Sequence, residues 1–144
     1  QFKPLFQYYK ELYEQFNHDM KSYQVGVHMH SLFGENSKQT ADTYYPIYSS
    51  QMNRVGATRG WPPFSRDQFD SGRSKDGAYL IGDANEAIDK ILHMHEMFGL
   101  TRFSAHMDVG GPSHELLMKS IEIYGTKIAP KVREAISAPV DPSS

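Results

Sequence analysis

Apolar positions recur along the chain with two periods, and the alternation between them outlines the fold. Leu5, Tyr9, Leu12, Tyr13 and Phe16 stand at helical spacing with Lys10, Glu11 and Glu14 opposite. An amphipathic helix therefore opens the chain and ends near Asn17-His18-Asp19. From Tyr23 to Phe33 the period shortens to two: Val25, Val27 and Met29 face one way, Gly26, His28 and His30 the other. Ser37 to Asn53 returns to the helical period, with Ala41, Tyr44, Tyr45, Tyr48 and Met52 as a broad apolar face. Pro46 predicts a kink or break inside it.

Val55 to Gly77 follows neither period. A stretch longer than about 15 residues is too long for a plain connection, so it reads as a mobile excursion or lid with a short helix near Ser65 to Phe69. Ala78 to Ile81 is a short extended segment. Asp83 as N-cap and Glu86 at N3 then start a helix that carries Ile88, Ile91, Leu92 and His95 and stops at Gly99. Phe103 to Val109 is another strand, and Gly110-Gly111-Pro112 turns the chain. Leu117, Ile121, Tyr124 and Ile128 mark the buried stripe of a last helix that Pro130 bends, and residues 137–144 read as a flexible tail.

Helices alternating with strands predict an α/β fold with a parallel sheet. The strands near Val25–Ser31 and Phe103–Val109 are expected to run parallel, with His30 and Gly110 at ends that open to the same side. A closed eight-fold barrel needs about 250 residues, so 144 residues could supply only some of its units. The chain begins at Gln1 with a helix whose packing partners are not evident, which reads either as a trimmed chain or as a piece of a longer polypeptide.

Composition narrows the function classes. A net charge of −2 without any Lys/Arg run argues against a dedicated nucleic-acid or anionic-membrane binder. The absence of cysteine excludes disulfides, thiolate nucleophiles and Cys-based zinc sites. No apolar run approaches the ~18 residues of a membrane span, and a cytoplasmic protein is the expectation.

The chemistry-bearing side chains are few. His28 and His30, two apart on a strand, share a face toward its C-terminal end. They could both reach a metal, but no carboxylate stands at matching spacing, and the pair reads as pocket lining. His93 and His95 lie on a helix and diverge by about 200°, so they form no joint site. Ser104, His106 and Asp108 spell a hydrolase triad, yet they are successive same-face residues of one strand, which gives no base-orienting geometry. Asp108, beside the diglycine, remains a pocket residue. Gly110 and Gly111 allow either close backbone approach to a ligand or a plain tight turn. Arg59 and Trp61 either close over a substrate or belong to an arginine-rich surface loop.

Several segments together carry a resemblance. They are Val25-Gly-Val-His-Met-His30, Arg59-Gly-Trp-Pro-Pro63, Leu80-Ile-Gly82 leading into the Asp83 helix, and Arg102-Phe-Ser-Ala-His-Met-Asp-Val-Gly-Gly111. With His114-Glu115 and Ser120-Ile-Glu-Ile-Tyr-Gly-Thr-Lys-Ile-Ala-Pro130, this colinear set closely resembles the C-terminal part of luciferase-like flavin-dependent monooxygenases. The resemblance implies the C-terminal portion of a TIM-type (β/α)8 barrel spanning residues 1–136, incomplete on its own, with residues 55–77 as an active-site lid. It implies reduced flavin (FMN, or the deazaflavin F420) with O₂ and a small organic substrate, in an intact protein that forms homo-oligomers. It also places the flavin phosphate and the dimer interface in the first half of the barrel, upstream of these residues. On this reading His28 and His30 are the catalytic candidates, and Asp108, Gly110 and Gly111 line the cofactor side. Arg59, Trp61 and His114 belong to the substrate or lid side, and no metal is expected. The alternative is a non-catalytic flavin-binding protein related to truncated luciferases.

Overall fold

A computed structural model describes residues 2–137. In chain order the elements are α1 (Lys3–Gln15), a 3₁₀ turn (Met20–Ser22), β1 (Gly26–Phe33), α2 (Ser37–Ala57), α3 (Arg66–Arg73), β2 (Tyr79–Gly82) and α4 (Ala84–Phe98). They continue with β3 (Arg102–His106), α5 (His114–Ile123), a π-helical turn (Tyr124–Ile128) and α6 (Ala129–Ser137). The tail expected from 137 onward lies, past Ser137, outside the described residues.

Three strands form one parallel sheet in the order β2-β1-β3. The expected parallel pairing is present as direct neighbours: Gly26 pairs with Arg102, His28 with Ser104 and His30 with His106. β2 pairs with the far half of β1, from His30–Tyr79 to Phe33–Gly82. Thr101 fastens the near end, its Oγ1 accepting from the Val25 N–H at 2.9 Å and donating to the Val25 carbonyl at 3.1 Å.

Each face of the sheet buries its own cluster, as strand alternation requires. Val25, Met29, Phe33 and Leu80 pack against Ala87, Ile91 and Met94 of α4, with Ile123, Ile128 and Phe6 of α1 closing that side. Leu32 and Ile81 point the other way, into Ala41, Tyr44 and Tyr48 of α2 and Phe69 of α3. Helices thus cover both faces. The chain steps from β1 to β2 with α2 and α3 on one face, then crosses back over β1 to β3 with α4 on the other, which keeps the two crossovers of one hand. Neighbouring barrel strands follow sequence order with helices outside only; here β2 and β3 flank β1 instead.

Local expectations hold in part. Asp83 caps α4 by accepting from the Glu86 N–H at 3.0 Å, and Gly99 ends it at φ +67°. Glu86 does not complete a capping box; its carboxylate accepts from Ser37 Oγ at 2.5 Å. Pro46 neither breaks nor ends α2, which runs unbroken to Ala57. The stripe of α1 is rotated: Leu5 is 64% and Phe16 67% exposed, while Phe6 stacks on Phe98 with ring centroids 4.6 Å apart. On α5 the inward residues are Ser120 and Ile123, and Ile121 is exposed. The reason is chemical. The Phe33 N–H at the end of β1 needs an acceptor, and Ser120 Oγ supplies it at 2.9 Å, which turns that side of the helix to the sheet.

Much of the Val55–Gly77 stretch is ordered packing and not an aperiodic lid. α2 occupies its start, and α3 is set by a full capping box between Ser65 and Gln68. Phe69 is fully buried against Tyr45, Tyr48 and Tyr79. Arg66 bonds Asp42 and Asp70 at 2.8 Å each, and Arg73 donates to the Ile81 carbonyl at 3.0 Å. Sequence periodicity missed this because α3 buries a single apolar side chain and is anchored mainly by polar contacts.

Candidate functional site

Parallel register places one row of rings straight across the sheet: Tyr79 on β2, His30 on β1 and His106 on β3. All three point to the face that carries His28 and Ser104 one step toward the strands' beginnings. His106 therefore neighbours both earlier histidines, with ring centroids 5.1 Å from His28 and 5.4 Å from His30. The far half of this face lies under α2 and α3; the near half, with exposed His28, is open.

His30 is half-buried. Its Nδ1 shares a 2.8 Å hydrogen bond with the Tyr48 hydroxyl, and its ring lies parallel to Tyr79 at 6.4 Å. Burial, reinforced by the neighbouring His106 and His28 rings, pushes its pKa below the ordinary histidine value, so the imidazole is held neutral. Burial raises the Tyr48 phenol far above its usual range, with Tyr79 adding to the shift, so that hydroxyl stays protonated.

His106 faces outward and meets Asp108: Nε2 and Oδ1 are 2.6 Å apart. A regular strand would separate same-face residues by about 6.6 Å, which is the ground on which sequence alone discounts the pair. β3 ends at His106, and the freed chain curls so that the Asp108 carboxylate folds back onto the ring. The curl is fixed from both faces. Tyr44 Oη donates to the Val109 carbonyl at 2.7 Å, Ser120 Oγ contacts Met107 Sδ at 3.3 Å, and the Gly111 N–H donates to the Asp108 carbonyl at 3.0 Å. The Ser104-His106-Asp108 spelling thus yields a His–Asp pair, with no contact bringing Ser104 into it among the described residues.

The remaining expected residues divide. Gly110 (φ +82°) makes a close approach, but to α2 and not to open space: a Cβ there would lie 2.6 Å from the Ile47 carbonyl oxygen. Gly111 (φ +71°) is free of neighbours and remains accessible. Arg59 lies over the Trp61 ring at 5.0 Å, and Trp61, 48% exposed, tucks its Cβ against Gly56. These two contact each other, and no described contact joins them to the histidine face. His114 is exposed as the first residue of α5. His93 turns away toward Asp76 at 3.3 Å, and His95 bonds the Leu100 carbonyl, so the two diverge as their spacing requires. Among the described residues no group of histidines and carboxylates has the arrangement of a metal site.

His106, Tyr48 and Tyr79 are the site residues that sequence reasoning passed over. For His106 the signal was present: once β1 and β3 are paired parallel, its parity puts it beside His28 and His30. The helical tyrosine carried none, being one of several aromatics on an apolar face.

The position is a favoured one for ligands. In open α/β sheets they bind beyond the carboxyl ends of strands where the chain winding reverses, and the β1/β3 boundary is that point here. No protein-family model matches the chain, and no curated protein matches it. Among the described residues no helix is long and apolar enough to cross a membrane.

Proposed function

We propose that this chain supplies part of the flavin-pocket wall of a luciferase-like flavin-dependent oxidoreductase, acting with FMN or F420, O₂ and a small organic substrate. One observation carries the reading. Two of the segments that carry the resemblance, Val25–His30 and Arg102–Gly111, lie side by side in register and pool their polar side chains on one half-covered face. That face suits the ring of a flavin: imidazoles and a serine hydroxyl offer hydrogen bonds along its edge, and tyrosines shield its far side. Arg102 stands at the start of β3, at the near end of this face, and the resemblance places the flavin phosphate on residues upstream of this chain. The strand order β2-β1-β3 with helices on both faces departs from the TIM-type barrel that the resemblance implies, so the proposal rests on the shared polar face and not on barrel geometry.

When bound, reduced flavin supplies the electrons that activate O₂. The chain's own residues have other tasks. Neutral His30 and the protonated Tyr48 hydroxyl present a fixed donor–acceptor pair, and α2 with α3 keeps water from the far half of the face. FMN and F420 fluorescence, titrated separately with the protein, should show saturable quenching. His28→Ala and Ser104→Leu should each weaken it about tenfold, the scale of one lost contact group near 1.4 kcal/mol. No saturable binding of either flavin would end the proposal. Substrate oxygenation driven by a flavin reductase would then select the enzyme over the non-catalytic flavin-binding alternative.

A further inference from the structure

The His106–Asp108 pair has a use that does not depend on flavin. Nε2 of His106 stands 2.6 Å from Asp108 Oδ1. A carboxylate that close takes the Nε2 proton as a hydrogen bond, and the neutral ring then carries its lone pair on Nδ1. Nδ1 has no protein partner among the described residues, and the ring is half-exposed at the winding reversal between β1 and β3. The orienting group is fixed in advance, because Tyr44, Ser120 and the Asp108–Gly111 turn hold residues 107–111 in place.

We propose that His106 is a proton acceptor for a bound O–H or N–H acid of phenol-like strength, with Asp108 and His30 as its positioning residues. The step balances within the site. The proton of the ligand's X–H group passes to Nδ1 of His106, and the X–H bonding electrons remain on X. The resulting X⁻ faces an imidazolium whose charge is compensated by Asp108, and the proton is returned when the ligand leaves. This resembles the base–orienter half of a hydrolytic triad without its nucleophile.

The neighbouring charges decide whether a proton would be accepted there. β1 contributes His28 and neutral His30, α2 contributes Tyr44 and Tyr48, β2 contributes Tyr79, and β3 contributes Arg102 at its start. Helices α4, α5 and α6 pack on the opposite face. Both α2 phenols are held protonated by burial, so Asp108 is the anion at the ring. A charged His30 would repel an imidazolium at His106, whereas burial keeps His30 neutral, bonded to Tyr48. His30 in this role sets the field in which His106 works and does not touch the ligand.

Two measurements on the full chain test the inference without flavin. Diethyl pyrocarbonate acylates unprotonated imidazole nitrogens, and peptide mass spectrometry resolves the sites. His106 should react faster than His93 and His114. Asp108→Asn should slow His106 at least fivefold while leaving those two unchanged, and Asp108→Glu should restore most of the rate. Because Asp108 is exposed, with 70% of its side chain accessible, these variants should keep the wild-type circular dichroism. In the second measurement, 4-nitrophenol mixed with the protein below its own pKa should gain the yellow phenolate band, and His106→Gln should abolish that gain. His106 reacting no faster than His114, an unchanged rate in Asp108→Asn, or a nitrophenol spectrum unaltered by the protein would each overturn the proposal. Success here with no flavin binding would refute the flavin reading alone; the reverse result would refute this one alone.

Discussion

Lys90 shows how one residue can settle the end of a connection. It is only 4% exposed, and its Nζ donates to the carbonyls of Ser74 at 2.6 Å, Tyr79 at 2.5 Å and Gly72 at 3.4 Å. Burial lowers its pKa to about 8, so ionisation there is costly, yet the three acceptors would be stranded without it. The acceptors should decide the balance, since each buried carbonyl left unsatisfied costs about 1–3 kcal/mol. Lys90→Met, which keeps the stem but removes the donors, should therefore lower stability by about 2 kcal/mol in urea unfolding; an unchanged midpoint would show that water serves these carbonyls. His30 gives a pH-dependent term of fixed sign. Its pKa is lowered in the fold, so the unfolded chain binds the extra proton more readily. The stability it contributes is present above the unfolded value of 6.5 and is lost as pH falls through the folded pKa. Thermal unfolding of wild type should drop more steeply as pH falls below 6.5 than that of His30→Gln; equal slopes would rule out a role for His30. Neither Lys90's burial nor His30's partner was legible in sequence, because both depend on which distant carbonyl or phenol the fold delivers.

Elements were legible where the period was strong and the cap local. The alternation Val25 to Met29 gave β1 and its two faces, and Asp83 with Gly99 gave the limits of α4. For α3 the sequence predicts only a short helix inside an aperiodic stretch. With one buried side chain, its eight residues have little apolar burial to hold them, so the capping box should matter unusually. Ser65→Ala should cost about 1 kcal/mol. It should also make the Thr58–Arg73 segment the first site of limited proteolysis, while α2 stays resistant. Cleavage elsewhere at the same rate in both proteins would show that the Arg66 and Arg73 ion pairs hold α3 without its cap. The last helix failed for a different reason. A stripe at a fixed 3.6-residue period does not fit it, because the chain widens into a π turn at Tyr124–Ile128, where the Ala129 N–H bonds the Tyr124 carbonyl. Pro130, which has no N–H and crowds the carbonyl four residues earlier, explains that widening without a sharp bend. Periodic counting cannot see an inserted residue of this kind.

At the scale of the whole molecule, strand order was the property least open to sequence reading, since alternation of helix and strand fits both a barrel and a reversing sheet. The arrangement found leaves surfaces that ask for company. β2 and β3 are edge strands, and their outer N–H and C=O groups have no strand partner among the described residues. α1 and its caps present Phe2, Leu5, Tyr8 and Phe16 to solvent, and no residue of α1 is fully buried, Phe6 being only partly covered. An apolar face of this size next to open sheet edges favours association. Sedimentation velocity over about a hundredfold range of concentration should therefore show the weight-average mass rising above 16.4 kDa. Leu5→Lys with Phe16→Lys, two exposed positions that the fold does not need, should shift the association midpoint at least tenfold upward if α1 carries the contact. If the variant still associates like wild type, the strand edges hold the contact, and blocking β3 becomes the next test. A chain that stays monomeric throughout, in both forms, would show that three strands and their helices are self-sufficient and that the apolar face of α1 recruits nothing.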